Sequence, residues 1–451
     1  MSGVEQIVAA GPNSAGLLAR LGWDHHGFRA RGQASAVLAL CAVLLVPFVL
    51  DQWMFQHAVR TRFPDLVGWL QNAETLVSAP DQPFYERYGA FYVYPPFFLT
   101  LLWPLTKLPV VVAAAVFQAV KWMAIVVSAR AAWRLCAPPG EDVPPIVALG
   151  SLALTWRFIG NDLGVGNVNT LLLLAIVGGC WLLARGWHVA AGIAVAAAVS
   201  VKVTPALLLV YFAYKGWWRV LVGAALGLAL FLVVWPAVCL GWESNWQLLG
   251  GWYHAVVAGF LERGAVRSEH TNQALVGMLN RLFGPHPTFV PDVHWTIVNL
   301  SEGARSVVRF GVAGLTVLGL AWVCRGRLRP ARQPLAFAAE VSLVLIAMLL
   351  LSGLSWKAHF VTMLLPYATV LAWLADGRLA AGRRRLVGGL LAASFGLCTM
   401  TGDILTPTGA DYAEALGLIM LGTLLAGAAV WLVRVRCRPA EQPDADAAAA
   451  W

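Results

Sequence analysis

Long apolar runs dominate the chain. The first starts near Ala34, and others start near Val110, Pro145, Val168, Trp217, Ser306, Leu335, His359, Leu386 and Ala413. An α-helix needs about 20 mainly apolar residues to cross a bilayer, and these runs have that length. Between Val189 and Tyr214 a longer apolar stretch is interrupted by Lys202 and Pro205. Each half is short for a crossing, so the pattern predicts a helical hairpin with the lysine at its tip. The expected fold class is an all-α polytopic membrane protein of about twelve transmembrane helices with two long outer loops. The run at Ala34 lies too far into the chain for a simple cleaved signal peptide and reads as a signal anchor. The expected organisation is an N-terminal cytoplasmic segment 1–33, a transmembrane domain 34–435, and a Pro/Ala/Asp-rich disordered cytoplasmic tail 436–451.

Basic residues then orient the spans. Arg20, Arg29 and Arg31 precede the first run, and Arg130 and Arg134 end the second. Arg185, then Lys215 and Arg219, follow later runs. Arg325, Arg327, Arg329 and Arg332 fill one short loop, Arg378, Arg383, Arg384 and Arg385 another, and Arg434, Arg436 and Arg438 follow the last run. All fall on one side if both termini are cytoplasmic. The other side then holds the long segments 51–109 and 241–305, with Asp51, Asp65, Glu74, Asp81 and Glu86 in the first and Glu243, Glu262, Glu269, Asp292 and Glu302 in the second. A pure anchor has no need of long structured outer loops, so function is expected there.

Composition agrees with this picture. Charged residues make up 12% of the chain and hydrophobic ones 59%, against about 25% charged in a soluble domain. That excludes an ordinary soluble enzyme, a disordered chain and a nucleic-acid binder. The formal net charge of +9 reports basic cytoplasmic loops rather than a polyanion partner. The seven cysteines show no CxxC and no pair in a long polar loop, which favours packing over disulfides or a metal site.

Candidate chemistry gathers on the outer side. Asp65, Trp69 and Asn72 share a helix face by spacing, and Asp65 follows Pro64 at the helix start. Asp65 is thus either a first-turn cap or a general base. Tyr92-Val93-Tyr94-Pro95-Pro96 starts a short apolar helix ending at Pro109 that is expected to lie along the interface. Tyr92 and Tyr94 read as an aromatic belt or as contacts to substrate. Lys202 reads as a phosphate ligand or a snorkelling lysine. Glu269-His270-Thr271-Asn272-Gln273 is dense in polar groups, and amides suit sugar hydroxyls as well as loop capping. His359, at the outer start of an apolar run, can donate, accept or charge. Trp356 beside it suits sugar stacking or a belt. The outer histidines His254, His270, His286 and His294 show no HxH or HExxH spacing, and no metal is expected. GxGxxG, Walker A and GxSxG patterns are absent, so no cytosolic nucleotide-sugar site is encoded, and a reaction on the outer face needs a donor delivered by the membrane.

Taken in order, several segments resemble the motifs of glycosyltransferase family 87, the membrane transferases formerly grouped as DUF2029. Asp65-Leu66 with Ala73 and Leu76 is similar to its first-loop motif, and Tyr92–Pro96 to its Tyr-Pro-Pro motif. Gly166-Asn167-Val168-Asn169 is similar to its Gly-Gln-x-Asn pattern, with Asn167 in place of Gln. Ala191-Gly192 with Val201-Lys202-Val203-Thr204-Pro205 resembles its Lys-x-Thr-Pro hairpin. Asn272-Gln273-Ala274-Leu275 with Gly277 and Arg281 resembles its Asn-Gln-Ser-Leu segment. Ser355–His359 resembles its Ser-Trp-x-His-His motif, with Ala358 in place of the first His.

The resemblance implies a GT-C-like fold and an inverting transferase that moves a hexose, mannose above all, from a polyprenyl-phosphate donor to a lipid or glycan acceptor of the cell envelope. It implies Asp65 as catalytic base, Lys202 as ligand of the donor phosphate, and His359 at the phosphate or acceptor. Tyr94, Asn169, Asn272, Gln273 and Trp356 become substrate contacts. No cofactor is implied, and the partners are the donor, the acceptor and membrane lipids. The expected place is a bacterial inner membrane, with the site facing the exterior. Arabinofuranosyl transfer within the same family, or a lipid-linked glycan transporter or ligase, is the alternative.

Overall fold

The computed structural model describes residues 62–89, 92–138, 140–261, 266–284, 296–375, 380–402 and 406–436. The first run at Ala34, the segment 1–33, Asp51, Glu262, His286, Asp292, His294 and the tail from residue 437 onward lie outside the described residues. The described residues are helical, with no strand among them.

The described part of segment 51–109 folds as α1 (Pro64–Ser78), α2 (Phe84–Tyr88) and α3 (Pro96–Leu102), the last extended by a 3-10 turn Trp103–Lys107. Proline occupies the opening positions of α1 and α3, where its missing N–H leaves no helical bond unmade. The helices α4 (Val110–Leu135), α5 (Pro145–Val165), α6 (Asn169–Ala184), α7 (His188–Val201), α8 (Ala206–Tyr214) and α9 (Trp218–Leu240) follow. Segment 241–305 contains α10 (Trp242–Trp252), which runs on through a π-helical stretch Tyr253–Ala258, and α11 (Leu275–Phe283). Next come α12 (Glu302–Val323), α13 (Pro334–Leu350), a 3-10 segment Lys357–Met363 leading into α14 (Leu364–Leu374), α15 (Ala381–Thr399), α16 (Pro407–Ala415) and α17 (Leu418–Arg436). Neither α10 nor α16 was expected from the apolar pattern.

Among the described residues, α4, α9, α12 and Leu418–Val435 of α17 are long and apolar enough to cross a membrane. Helices α6, α7 and α13 are equally apolar but have only 16, 14 and 17 residues. They are short because the chain breaks beside them, at Gly166–Val168, at Lys202–Pro205 and at Leu351–Trp356. Residues from all three breaks, or from the turns that border them, line one cavity.

Helix α7 packs on α9 almost backbone to backbone. A Cβ on Gly192 would lie 2.0 Å from the Val220 carbonyl oxygen, and one on Gly223 would lie 2.2 Å from the Val189 carbonyl oxygen. Small residues allow this approach, which gains dispersion contacts where lipid offers no hydrophobic drive. Gly192→Val is therefore expected to cost at least about 1–3 kcal/mol through overpacking. It should lower the thermal unfolding temperature in detergent, whereas Gly314→Ala, with nothing within 4 Å, should not. Equal unfolding temperatures for the two variants would contradict this packing.

A buried ionic cluster ties α8, α13 and α17. Glu340 is fully buried and accepts from Lys215 at 2.7 Å, from Tyr211 Oη at 2.8 Å and from Arg434 Nε at 2.8 Å. Lys215 also donates to the carbonyls of Cys324 and Gly326, at 2.5 and 3.1 Å, so the turn after α12 joins the cluster. Of the described cysteines, Cys136, Cys180, Cys324 and Cys398 are buried and all are unbridged.

Candidate functional site

The site is built where the start of α1 meets the turn between α5 and α6. Helix α5 ends at Gly166, whose φ of +72° is left-handed and favours glycine. The same glycine touches the start of α1: a Cβ there would lie 3.0 Å from Leu66 Cβ and 3.1 Å from Phe63 Cβ. This close approach delivers Asn167 to Asp65, and Asn167 Nδ2 donates to Asp65 Oδ2 at 2.5 Å. Asp65 sits in the first turn of α1 and is half-buried. Burial pushes its carboxyl above the ordinary 3.8, helped by the nearby Asp162 charge. The Asn167 hydrogen bond and the charges of Lys121 and Lys202 pull the other way.

The Tyr-Pro-Pro segment walls this carboxylate. Tyr92 and Tyr94 are 1% and 6% exposed, so neither forms an interfacial belt. Tyr94 packs edge-on against Trp69 of α1 and Phe98 of α3, with centroids at 5.6 and 5.9 Å. The extended backbone has donors from three side chains: Tyr85 Oη to the Tyr94 carbonyl at 2.6 Å, Tyr92 Oη to that of Pro95 at 3.2 Å, and Trp252 Nε1 to that of Val93 at 3.1 Å. The last comes from the far end of α10 and joins segments 51–109 and 241–305. Burial and the Asp65 and Asp162 charges push the Tyr94 phenol above its ordinary value, so it stays a neutral donor.

Lys202 and His359 face each other across the neighbouring cavity, with Nζ 2.7 Å from Nε2. The cavity is also lined by Asn169, Thr204, Ser352, Ser355 and Thr362, with Leu172, Ile176, Met348 and Leu349 as its apolar wall. The His359 tautomer follows from its other nitrogen. Nδ1 accepts the backbone N–H of Trp356 at 3.1 Å, so the proton of a neutral ring is assigned to Nε2. Nε2–H and a Lys202 ammonium are then both donors, and an anionic oxygen shared between them satisfies both. Trp356 stacks on His359 with an interplanar angle of 15°, and its indole N–H is buried with no partner among the described residues.

Asn169 joins the two halves. It lines the cavity, and its Nδ2 donates to Asn167 Oδ1 at 2.6 Å and to Asp162 Oδ1 at 3.1 Å. Asp65, Asn167, Asn169, Lys202 and His359 are thus brought together, with Tyr94 alongside. Asn272 and Gln273 are not part of that cavity wall. Both are fully buried. Asn272 Nδ2 donates to the carbonyls of Arg267 and Gly353, and its Oδ1 accepts from Ser355 N and Ala274 N. Gln273 Nε2 donates to the carbonyls of His270 and Glu414. The Asn272 side chain and the Gln273 backbone N–H, which donates to the Ser355 carbonyl at 2.8 Å, hold the loop before α11 against residues 353–355, while the Gln273 amide ties it to α16. Lys121 and Asp162, both fully buried beside Asn169, were not anticipated; ionisable groups inside otherwise apolar runs were the available signal.

Residues 92–353 match the model of glycosyltransferase family 87. The chain belongs to that family. The family match spans Tyr94, Asn169, Lys202, Asn272 and Gln273, while Asp65, Trp356 and His359 lie outside it. The chain is 28% identical over 371 residues to a polyprenol-phosphate-mannose-dependent alpha-(1-2)-phosphatidylinositol pentamannoside mannosyltransferase of Mycolicibacterium smegmatis, covering 78% of this chain and 80% of that protein. It is 28% identical over 290 residues to the enzyme of the same description from Mycobacterium tuberculosis, covering 63% and 58%. A polyprenol-phosphate-mannose-dependent alpha-(1-2)-phosphatidylinositol mannoside mannosyltransferase of M. smegmatis is 26% identical over 333 residues, covering 72% and 64%. No solved structure matches the chain. Membership of family 87 and the apolar helices make this a membrane glycosyltransferase.

Proposed function

We propose that this family 87 protein is an inverting mannosyltransferase that uses a polyprenyl-phosphate-mannose donor and acts at the outer face of a bacterial inner membrane. One observation carries the reading: a half-buried carboxylate, Asp65, and a pair of nitrogen donors, Lys202 and His359, border one site and are linked through the amides of Asn167 and Asn169. A single displacement needs these two features. The acceptor hydroxyl gives its proton to Asp65 as its oxygen bonds to the anomeric carbon, and the bond from that carbon to the phosphate oxygen breaks. The electron pair leaves with the phosphate, whose charge Lys202 and His359 Nε2–H stabilise. A phosphate leaving group needs no general acid at neutral pH, so one base suffices. A monophosphate also lacks the extra charge of a pyrophosphate, and the scheme calls on no metal. Inversion converts a β-linked donor into an α-glycoside, as the names of the relatives describe for their own products. The acceptor is a glycolipid or glycan of the cell envelope. The arginine-rich turns favour cytoplasmic termini, which leaves the site facing outward.

The test is donor dependence, with purified protein in nanodiscs and a membrane-lipid extract as acceptor pool. Label is expected to move from polyprenyl-phosphate-mannose into an α-linked product. Transfer only from a lipid-phosphate arabinose would revise the sugar. Transfer only from a lipid pyrophosphate would mark a ligase, and movement of donor across the bilayer without a new glycosidic bond would mark a transporter.

A further inference from the structure

We infer that the buried Lys121–Asp162 pair is a positioning device, which sets the hydrogen-bond polarity of the Asn169–Asn167 relay so that Asp65 has one oxygen occupied and the other left for the acceptor proton. The inference rests on Asp65 as base.

The argument starts at the carboxylate furthest from substrate. Asp162, in the last turn of α5, is fully buried, and Lys121 of α4 lies 3.0 Å from its Oδ2. Lys121 donates in addition to the Asp162 carbonyl at 2.6 Å, and Gln118 Nε2 donates to the Leu163 carbonyl at 2.8 Å. These donors satisfy the end of α5. An ionised carboxylate only accepts. Asp162 Oδ1 takes the backbone N–H and one Nδ2 hydrogen of Asn169, each at 3.1 Å, and Oδ2 takes Thr170 N at 3.4 Å. Asn169 must therefore turn its Nδ2 towards Asp162, and its second Nδ2 hydrogen reaches Asn167 Oδ1 at 2.6 Å. The Val168 N–H donates to the same oxygen at 2.7 Å. With Oδ1 fixed as an acceptor, Asn167 can offer Asp65 only its Nδ2. A flipped amide in the relay would aim an oxygen at the Asp65 carboxylate. The fixed polarity leaves Asp65 Oδ1 as the oxygen for substrate.

An apolar pair would hold α4 and α5 together about as well as a buried ion pair does, and often better. What it would lack is direction. The double variant Lys121→Met/Asp162→Leu separates the two roles, because it removes both charges at once. Asp162 also accepts the N–H groups of Asn169 and Thr170, so the variant is expected to unfold below the wild type in detergent and is assayed where it stays folded. Its kcat for mannosyl transfer should fall by about 10–10²-fold through misalignment of the base, with donor KM unchanged. The acid limb of the kcat–pH profile is read in Asn169→Leu instead, because the double variant also removes the Asp162 charge that raises Asp65 and the Lys121 charge that lowers it. Lys202 and, on the Tyr-Pro-Pro segment, the neutral Tyr94 remain in both variants. Asn169→Leu cuts the relay with the ion pair intact, so it decides the matter if the double variant does not fold. In Asn169→Leu both charges stay, so an upward shift of the acid limb there reports the weakened Asn167 hydrogen bond and supports the relay. Loss of rate with an unmoved limb marks Asn169 as a sugar contact and overturns it, as does a folded double variant with wild-type kcat. Asp65→Asn run in parallel keeps the two readings apart. An inactive Asp65→Asn beside a wild-type-like double variant removes the relay alone, and turnover surviving Asp65→Asn removes the base assignment and the relay with it.

Discussion

Asp65→Asn is expected to lower kcat for mannosyl transfer by about 10²–10⁴, the range associated with a positioned general base. The asparagine keeps the size and the place of the carboxylate in the first turn of α1, so donor KM should barely change and the protein should fold. A first-turn acid that only complements the helix dipole would leave kcat intact, since its loss costs about 0.3–1 kcal/mol of stability. The pH profile adds an independent sign. Asp65 must be ionised to accept a proton, so kcat falls as pH drops through its value in the folded protein. Burial places that value above the ordinary 3.8, and the acid limb should appear above it too. Wild-type turnover in Asp65→Asn, measured with radiolabelled donor in nanodiscs, would return Asp65 to the role of a cap.

Lys202→Met should be nearly as damaging. Loss of one preorganised charged donor at a developing anion costs about 10²–10³ in kcat. Methionine keeps the length and the apolar stem, so packing against Leu172 and Met348 survives. Because the phosphate is charged both before and during the reaction, donor KM should rise as well, which distinguishes this variant from Asp65→Asn. Lys202→Arg should not restore full rate. The planar fork is larger than an ammonium and faces His359 Nε2 across 2.7 Å. A snorkelling lysine would instead leave both kcat and KM near wild type and would change only how the protein sits in the bilayer.

Local signals reached much of this arrangement and missed the rest for physical reasons. The prolines at 64, 96 and 145 mark helix starts, since a fixed φ and a missing N–H leave few other places for them. The interruption at Lys202 and Pro205 was legible in the same way. The shortness of α7 came with it, but that of α6 and α13 was not legible, because their apolar runs continue past the points where the site breaks the helices. Helix α10 escaped notice because Glu243, Ser244, Asn245 and Gln247, with two glycines, conceal its apolar face. Asp65, Lys202 and His359 each stand beside a proline, tryptophan or small-residue motif. Lys121 stands inside a run that reads as lipid-facing and Asp162 in a short turn between two runs, and nothing local says that residues 41 positions apart will pair. Asn272 and Gln273 show the opposite effect. A polar pentad reads as a binding loop, yet a buried loop must first satisfy its own backbone groups, and the Asn272 amide and Gln273 Nε2 are spent on that.

The Glu340 cluster bears on how the chain is made. Lys215 is synthesised before Glu340, but Arg434 follows it by 94 residues and sits at the end of the last described helix. Until α17 inserts, the carboxylate in α13 has lysine and tyrosine partners but lacks its guanidinium. Partly assembled chains therefore carry an acid that burial would enclose without its full complement of partners. Completion of the bundle is thereby coupled to arrival of α17, because a chain stopped short of residue 434 leaves Glu340 without its guanidinium.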